Sequence, residues 1–200
     1  MIKCPGVFLC LKVKEDRVKK PKERIIMLEI SLFFPLHPTE LNQKLKQIGF
    51  KESKDSMHLL FDGKELRIRA LRGQNNFEKT YGYRIYSDLS VSVLIYVLDM
   101  VLSDQDILVK GVTKTVHSAD MTLENIKSLG VSSTDMVNVF SKGDTVIMNQ
   151  PTLDCVYFQQ RHIKCRSLSQ LYRRIKEIEH VYMHCLQPAH DLFSYETNAS

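Results

Sequence analysis

Four side chains near the end of the chain have the chemistry of zinc ligands: His162, Cys165, His180 and His184. Imidazole and thiolate groups suit that ion. Their spacing works against it. If residues 153–165 are extended, positions 162 and 165 point to opposite faces of a strand. If residues 168–185 are helical, His180 and His184 lie with Arg173 and Glu177 on a charged, solvent-facing side. The series also lacks the His-Glu-x-x-His arrangement that sets a general base beside a catalytic metal. A second group is cationic. Arg67 and Arg69 alternate along one expected strand, and Arg84 and Lys110 fall on two others. Such residues could line a barrel interior and hold a polyanion by charge-assisted hydrogen bonds, or they form a solvated strand face. These four are the candidate anion-binding residues. No Gly-rich phosphate loop, nucleophile elbow or kinase-like set occurs, and the serines show no neighbouring His and carboxylate pattern to activate one. No residue is nominated as catalytic.

The elements that would position these groups follow a repeated order. Residues 28–34 read as a strand. Pro38 and Thr39 then start a short helix on Leu41, Leu45 and Ile48, which Gly49 can end in a left-handed conformation. Residues 57–61 and 65–71 flank Asp62-Gly63, a two-residue hairpin turn. On the second arm Leu66, Ile68 and Ala70 share one face and Arg67 and Arg69 the other. A polar loop at 72–79, a strand at 81–86 and a nearly all-apolar helix at 89–102 complete the first half. That helix carries Tyr96 and Asp99, and it either forms core or presents an apolar patch to a partner subunit, since a helix apolar all round needs cover on every side. The second half runs through a strand at 107–116, a helix on Leu123, Ile126 and Leu129 capped by Gly130, and a hairpin between 136–140 and 145–149. An extended stretch at 153–165 and a helix at 168–185 stopped by Pro188 follow. Two such units leave sheet edges open when alone and can cover them by closing on each other. The expected fold class is α+β: a duplicated unit forming a mostly antiparallel β-barrel or saddle with flanking helices. Residues 27–190 form one barrel-like domain, with repeats at about 27–104 and 105–188.

The chain has 200 residues, is 44% hydrophobic and carries a formal charge of +5. Residues 1–26 account for all of that charge, with eight basic side chains against three acidic ones, and the remainder balances at 20 and 20. The basicity belongs to a flexible N-terminal tail, and a duplex-binding surface over the domain is possible but not favoured. Within the tail, Lys19-Lys20-Pro21-Lys22 has the clustering of a nuclear import signal or of a solvated arm; residues 191–200 form a C-terminal tail. Tyr81, Tyr83, Tyr86, Tyr157 and Phe158 could stack nucleobases, and sheet packing is the plainer reading. Five cysteines without a Cys-x-x-Cys pair suit a reducing compartment, so a nuclear or cytoplasmic location is expected. No apolar run approaches the length of a membrane span.

Two resemblances give these elements a function. The segment Leu45-Lys46-Gln47-Ile48-Gly49-Phe50 leading to Leu66-Arg67-Ile68-Arg69 resembles the CYTH, or triphosphate-tunnel, family. In that family a basic-lined barrel holds triphosphates with a metal ion. The resemblance implies a triphosphate-binding or hydrolysing enzyme, with Arg67, Arg69, Arg84 and Lys110 on phosphate and Glu29 on magnesium. The family's first strand carries two alternate glutamates and then a lysine; here it offers Glu29, Ser31 and Phe33. The pattern at 28–71, the strand and helix from Val109 to Gly130, and the end of the fold from Leu153 to Pro188 are similar to the family of Mediator head-module subunit eighteen. Its CYTH-like barrel is non-catalytic. That resemblance implies a protein-interaction subunit acting in transcription, with other protein subunits as partners and no cofactor. A saddle similar to that of the TATA-binding protein, binding nucleic acid, is a further expectation.

Overall fold

The computed structural model describes residues 27–76, 80–102, 105–117, 121, 123–128, 132–133 and 138–186, with the side chains of 72–76, 132–133, 162–164 and 186 left aside. The tails, Leu129, Gly130, Met136 and Pro188 lie outside the described residues.

The first half opens with β1 (Met27–Phe34) and α1 (Pro38–Gln47). The His37 ring accepts from the Thr39 N–H at 3.3 Å and caps α1, Pro38 occupies its first turn, and Leu41 and Leu45 are buried. Gly49, at φ +96°, ends the helix. Its N–H donates to Lys46 O at 3.1 Å, and Phe50 N–H donates to Leu45 O at 3.0 Å, the paired bonds of a Schellman motif. Next come β2 (Lys51–Ser53), β3 (Ser56–Phe61), β4 (Lys64–Asn76), β5 (Thr80–Ser87) and α2 (Val91–Leu102). Asp62 and Gly63 both have positive φ, at 51° and 72°, so the turn has the twist that antiparallel strands favour. The loop expected at 72–79 is strand as far as Asn76. After a register shift beyond Ala70, Asn75 pairs with Tyr81 and Asn76 with Thr80, and ladder hydrogen bonds override the polar composition.

The second half gives β6 (Leu108–His117), α3 (Leu123–Ser128), β7 (Ser132–Ser133), β8 (Val139–Lys142), β9 (Thr145–Gln150), a short 3-10 turn (Pro151–Leu153), β10 (Cys155–Cys165) and α4 (Leu168–Leu186). The strands form one antiparallel sheet in the order β2-β3-β4-β5-β1-β6-β10-β9-β8-β7. Read outward from its centre, each half gives its first, fifth, fourth, third and second strand. The halves meet through β1 and β6, where Ile30 faces Val112. Because β2 and β7 stay apart, the sheet is an open saddle and not the closed barrel that was one of the two expectations. The edges need no mutual cover. They are strands of three and two residues, too short to template further pairing.

Alternation sets the two faces. Leu28, Ile30 and Leu32 of β1, Tyr83 and Ile85 of β5, Val112 and Val116 of β6, and Val156 and Phe158 of β10 are all buried in one core. The helices share that side: α4 lies on β6, β9 and β10 and against α2 and α3, and α2 touches α1. Among the described residues no helix lies on the opposite face. Cys165 and Cys185 belong to the core, where burial pushes both thiols up, Cys185 to about 12. Cys155 is half-buried. Iodoacetamide at pH 8 is therefore expected to alkylate Cys155 well before Cys165 or Cys185, which should react only on unfolding. Peptide mapping against time checks this, and equal rates at the three sites would contradict the core placement.

Candidate functional site

The helix-free face is built by strand register. One row crosses eight strands: His58, Arg67, Tyr86, Glu29, Thr113, Gln159, Val146 and Ser141 stand directly opposite one another in turn. The next row contains Arg69, Arg84, Ser31, Gly111 and Arg161. The sheet thus brings together three of the four expected anion-binding residues. Arg69 and Arg84 face each other directly, a like-charge pairing that costs stability unless each cation finds a carboxylate. Each does. Arg69 Nη2 lies 2.7 Å from Asp55 Oδ2, Arg84 Nε lies 3.1 Å from Glu29 Oε1, and Arg67 Nη2 lies 3.0 Å from Glu65 Oε2.

Lys110 stands apart from this group. It occupies the irregularity where the β1–β6 register shifts, and its Nζ sits 4.3 Å from the Phe33 ring centroid. Phe33 points to the helix-free side by alternation, yet it is only 1% exposed. A phosphate reaching toward the arginines would have to compete with their own carboxylates, and no barrel interior encloses them. Glu29 fits a magnesium site poorly. Its carboxylate faces the Arg84 guanidinium, and among the described residues no three His, Cys, Asp or Glu side chains gather where a metal ion could be held.

The zinc-like series separates in a similar way. Cys165 is buried, with its Sγ 3.4 Å from Ser167 O as donor. His180 and His184 sit on the exposed side of α4 with their Nε2 atoms 3.0 Å apart. The side chain of His162 is outside the described residues. Nearby on α4, Gln170, Arg173, Arg174 and Glu177 line an open depression of about 250 Å³. Arg174 there already bonds Asp144 at 3.0 Å and Glu177 at 2.9 Å.

One cluster corrects the expectation that no serine has a His and carboxylate beside it. Ser56 Oγ lies 2.8 Å from His58 Nε2, and His58 Nδ1 lies 2.5 Å from Glu65 Oε1. Arg67 Nη2 donates to both Glu65 oxygens, at 3.2 and 3.0 Å, and the Glu65 N–H donates to Asp88 Oδ1. The His58 hydrogen bond, helped by the Arg67 guanidinium and opposed by partial burial, holds the Glu65 carboxyl below its usual range. The signal was present in the chain. Ser56 and His58 are two apart on one strand face, and the Asp62-Gly63 turn pairs Leu60 with Glu65 and so sets Glu65 diagonally beside His58.

The apolar helix, expected either to form core or to present an apolar patch, is buried along one side and exposed along the other. α2 buries Val91, Leu94, Val97, Leu98, Val101 and Leu102. Tyr96 is 66% exposed and Met100 46% exposed, one turn apart. Among the described residues no helix is long and apolar enough to cross a membrane. Compared with known family models, curated proteins and solved structures, the chain matches none.

Proposed function

We propose that the protein is a non-catalytic interaction subunit, of the kind its resemblance to the Mediator head family implies, and that it contributes to transcription by binding other protein subunits. The observation that carries this reading is α2. A helix composed mostly of core-type residues leaves an aromatic ring and a thioether in water on one side, and aromatic residues and Met are enriched where proteins bury one another. Two features support it. Arg67, Arg69 and Arg84 are matched by carboxylates, so their charge is less available to phosphate than the alternation suggested. Among the described residues Glu29 belongs to no cluster of three His, Cys, Asp or Glu that could hold a metal ion.

The test is affinity purification of the full chain from its own cells. The reading expects a stoichiometric protein partner that is lost from a Tyr96→Lys, Met100→Lys variant. Other outcomes overturn it. Magnesium-dependent phosphate release from ATP that Arg67→Ala abolishes would make the protein a divergent triphosphatase. The mirrored sheet favours a second reading, a nucleic-acid saddle like that of the TATA-binding protein. Partner-free protein that binds DNA with steep salt dependence, in a chain starting at Met27, would establish it.

A further inference from the structure

We propose that Ser56 is a base-activated hydroxyl that accepts an acyl group from an activated ester or thioester. This goes beyond docking and does not rest on it. Proton placement carries the argument. An ionised Glu65 can only accept hydrogen bonds, so at 2.5 Å the proton between the two groups belongs to His58 Nδ1. In the neutral form of the ring, with its proton on Nδ1, Nε2 is bare. That atom lies 2.8 Å from Ser56 Oγ, so in this form of the ring the hydroxyl is the donor. Donor and acceptor run in the order by which a histidine activates a serine in acyl transfer, with a carboxylate fixing the tautomer.

The framework is rigid for a surface group. Ser56, His58 and Glu65 sit on adjacent paired strands whose turn fixes their register, and Arg67 holds both oxygens of Glu65. In the transfer, the Ser56 Oγ–H proton moves to His58 Nε2 as the Oγ–carbonyl carbon bond forms. The bond from that carbon to the donor's alkoxide or thiolate breaks, and the leaving group takes the proton back from the imidazolium. The product is an ester on Ser56 and a free alcohol or thiol, with His58 neutral again. Because the cluster lies on an open strand face, the donor needs no matching pocket, and stoichiometric acylation is the appropriate readout.

The experiment uses the full chain with p-nitrophenyl acetate at pH 7.5, following p-nitrophenolate release and locating the acetyl group by peptide mapping. One acetyl per chain at Ser56 is expected, absent in Ser56→Ala, and slowed roughly a hundredfold by His58→Gln. Far-UV circular dichroism and the thermal midpoint check that each variant is folded. Labelling of Lys51, which stands opposite His58 on β2, in place of Ser56 would overturn the proposal. An unchanged Ser56 rate in folded His58→Gln would do the same. Neither result bears on partner binding, and loss of the docking reading would leave an acetylated Ser56 in place.

Discussion

Tyr83→Ala is expected to destabilise the protein by about 3–5 kcal/mol, the cost of removing a large aromatic ring from a packed core. Tyr83 is 1% exposed and stacks on Phe34 with ring centroids 4.1 Å apart and planes at 11°. Its hydroxyl donates to Leu36 O at 2.7 Å, which ties β5 to the connection between β1 and α1. Burial pushes the phenol well above its usual range, so it remains a donor at any ordinary pH. Alanine removes the stack and leaves the Leu36 carbonyl unsatisfied. Tyr83→Phe keeps the ring and should lose about 1 kcal/mol. Against a domain stability of roughly 5–15 kcal/mol, the alanine variant should show a much lower urea midpoint and the phenylalanine variant a small shift. Equal shifts for the two would mean that the ring is not part of the core.

The second large effect concerns binding. Replacing Tyr96 and Met100 together by lysine should weaken capture of the protein partner by a hundredfold or more, since two central contacts at about 2 kcal/mol each exceed that ratio. Stability should change by no more than about 0.5 kcal/mol, because both side chains point into water in the free protein. Binding is measured by titrating the purified partner, and stability by urea unfolding. A variant that stays folded and binds as tightly as the parent would remove α2 from the interface. Ser92 and Asp99 are also exposed on α2, so the helix offers a polar rim beside the two apolar residues.

Much of the fold was legible because local chemistry and global pattern agreed. Gly49 and the Asp62-Gly63 turn adopt the positive φ values their residue types favour. The alternation of Leu66 and Ile68 with Arg67 and Arg69 sorts core from surface in β4. What the pattern left open was whether the outer edges of the two halves meet. Strand alternation is the same whether a sheet closes or not, and the choice between saddle and barrel lies in β2 and β7, which end the sheet without pairing with each other. The short edge strands β2 and β7 carry too few residues to show a period at all. In the candidate site, the arginines were visible as a row, but their partners were not: Asp55 lies in a turn, Glu65 on the same strand, and Glu29 across the sheet. The Ser56 cluster escaped because it needs register as well as composition.

The open, mirrored sheet underlies both the exposed face and the free surface of α2, and a single distance tests it most directly. Spin labels at Lys51 on β2 and Ser141 on β8 are separated by eight strand-to-strand steps, which at about 4.8 Å each, shortened by twist, amounts to roughly 25–40 Å. Pulsed electron resonance on the full chain should return a distance in that range. A closed barrel would set β2 beside β7 and bring the labelled strands to about 10 Å, and a distance that short would contradict the saddle.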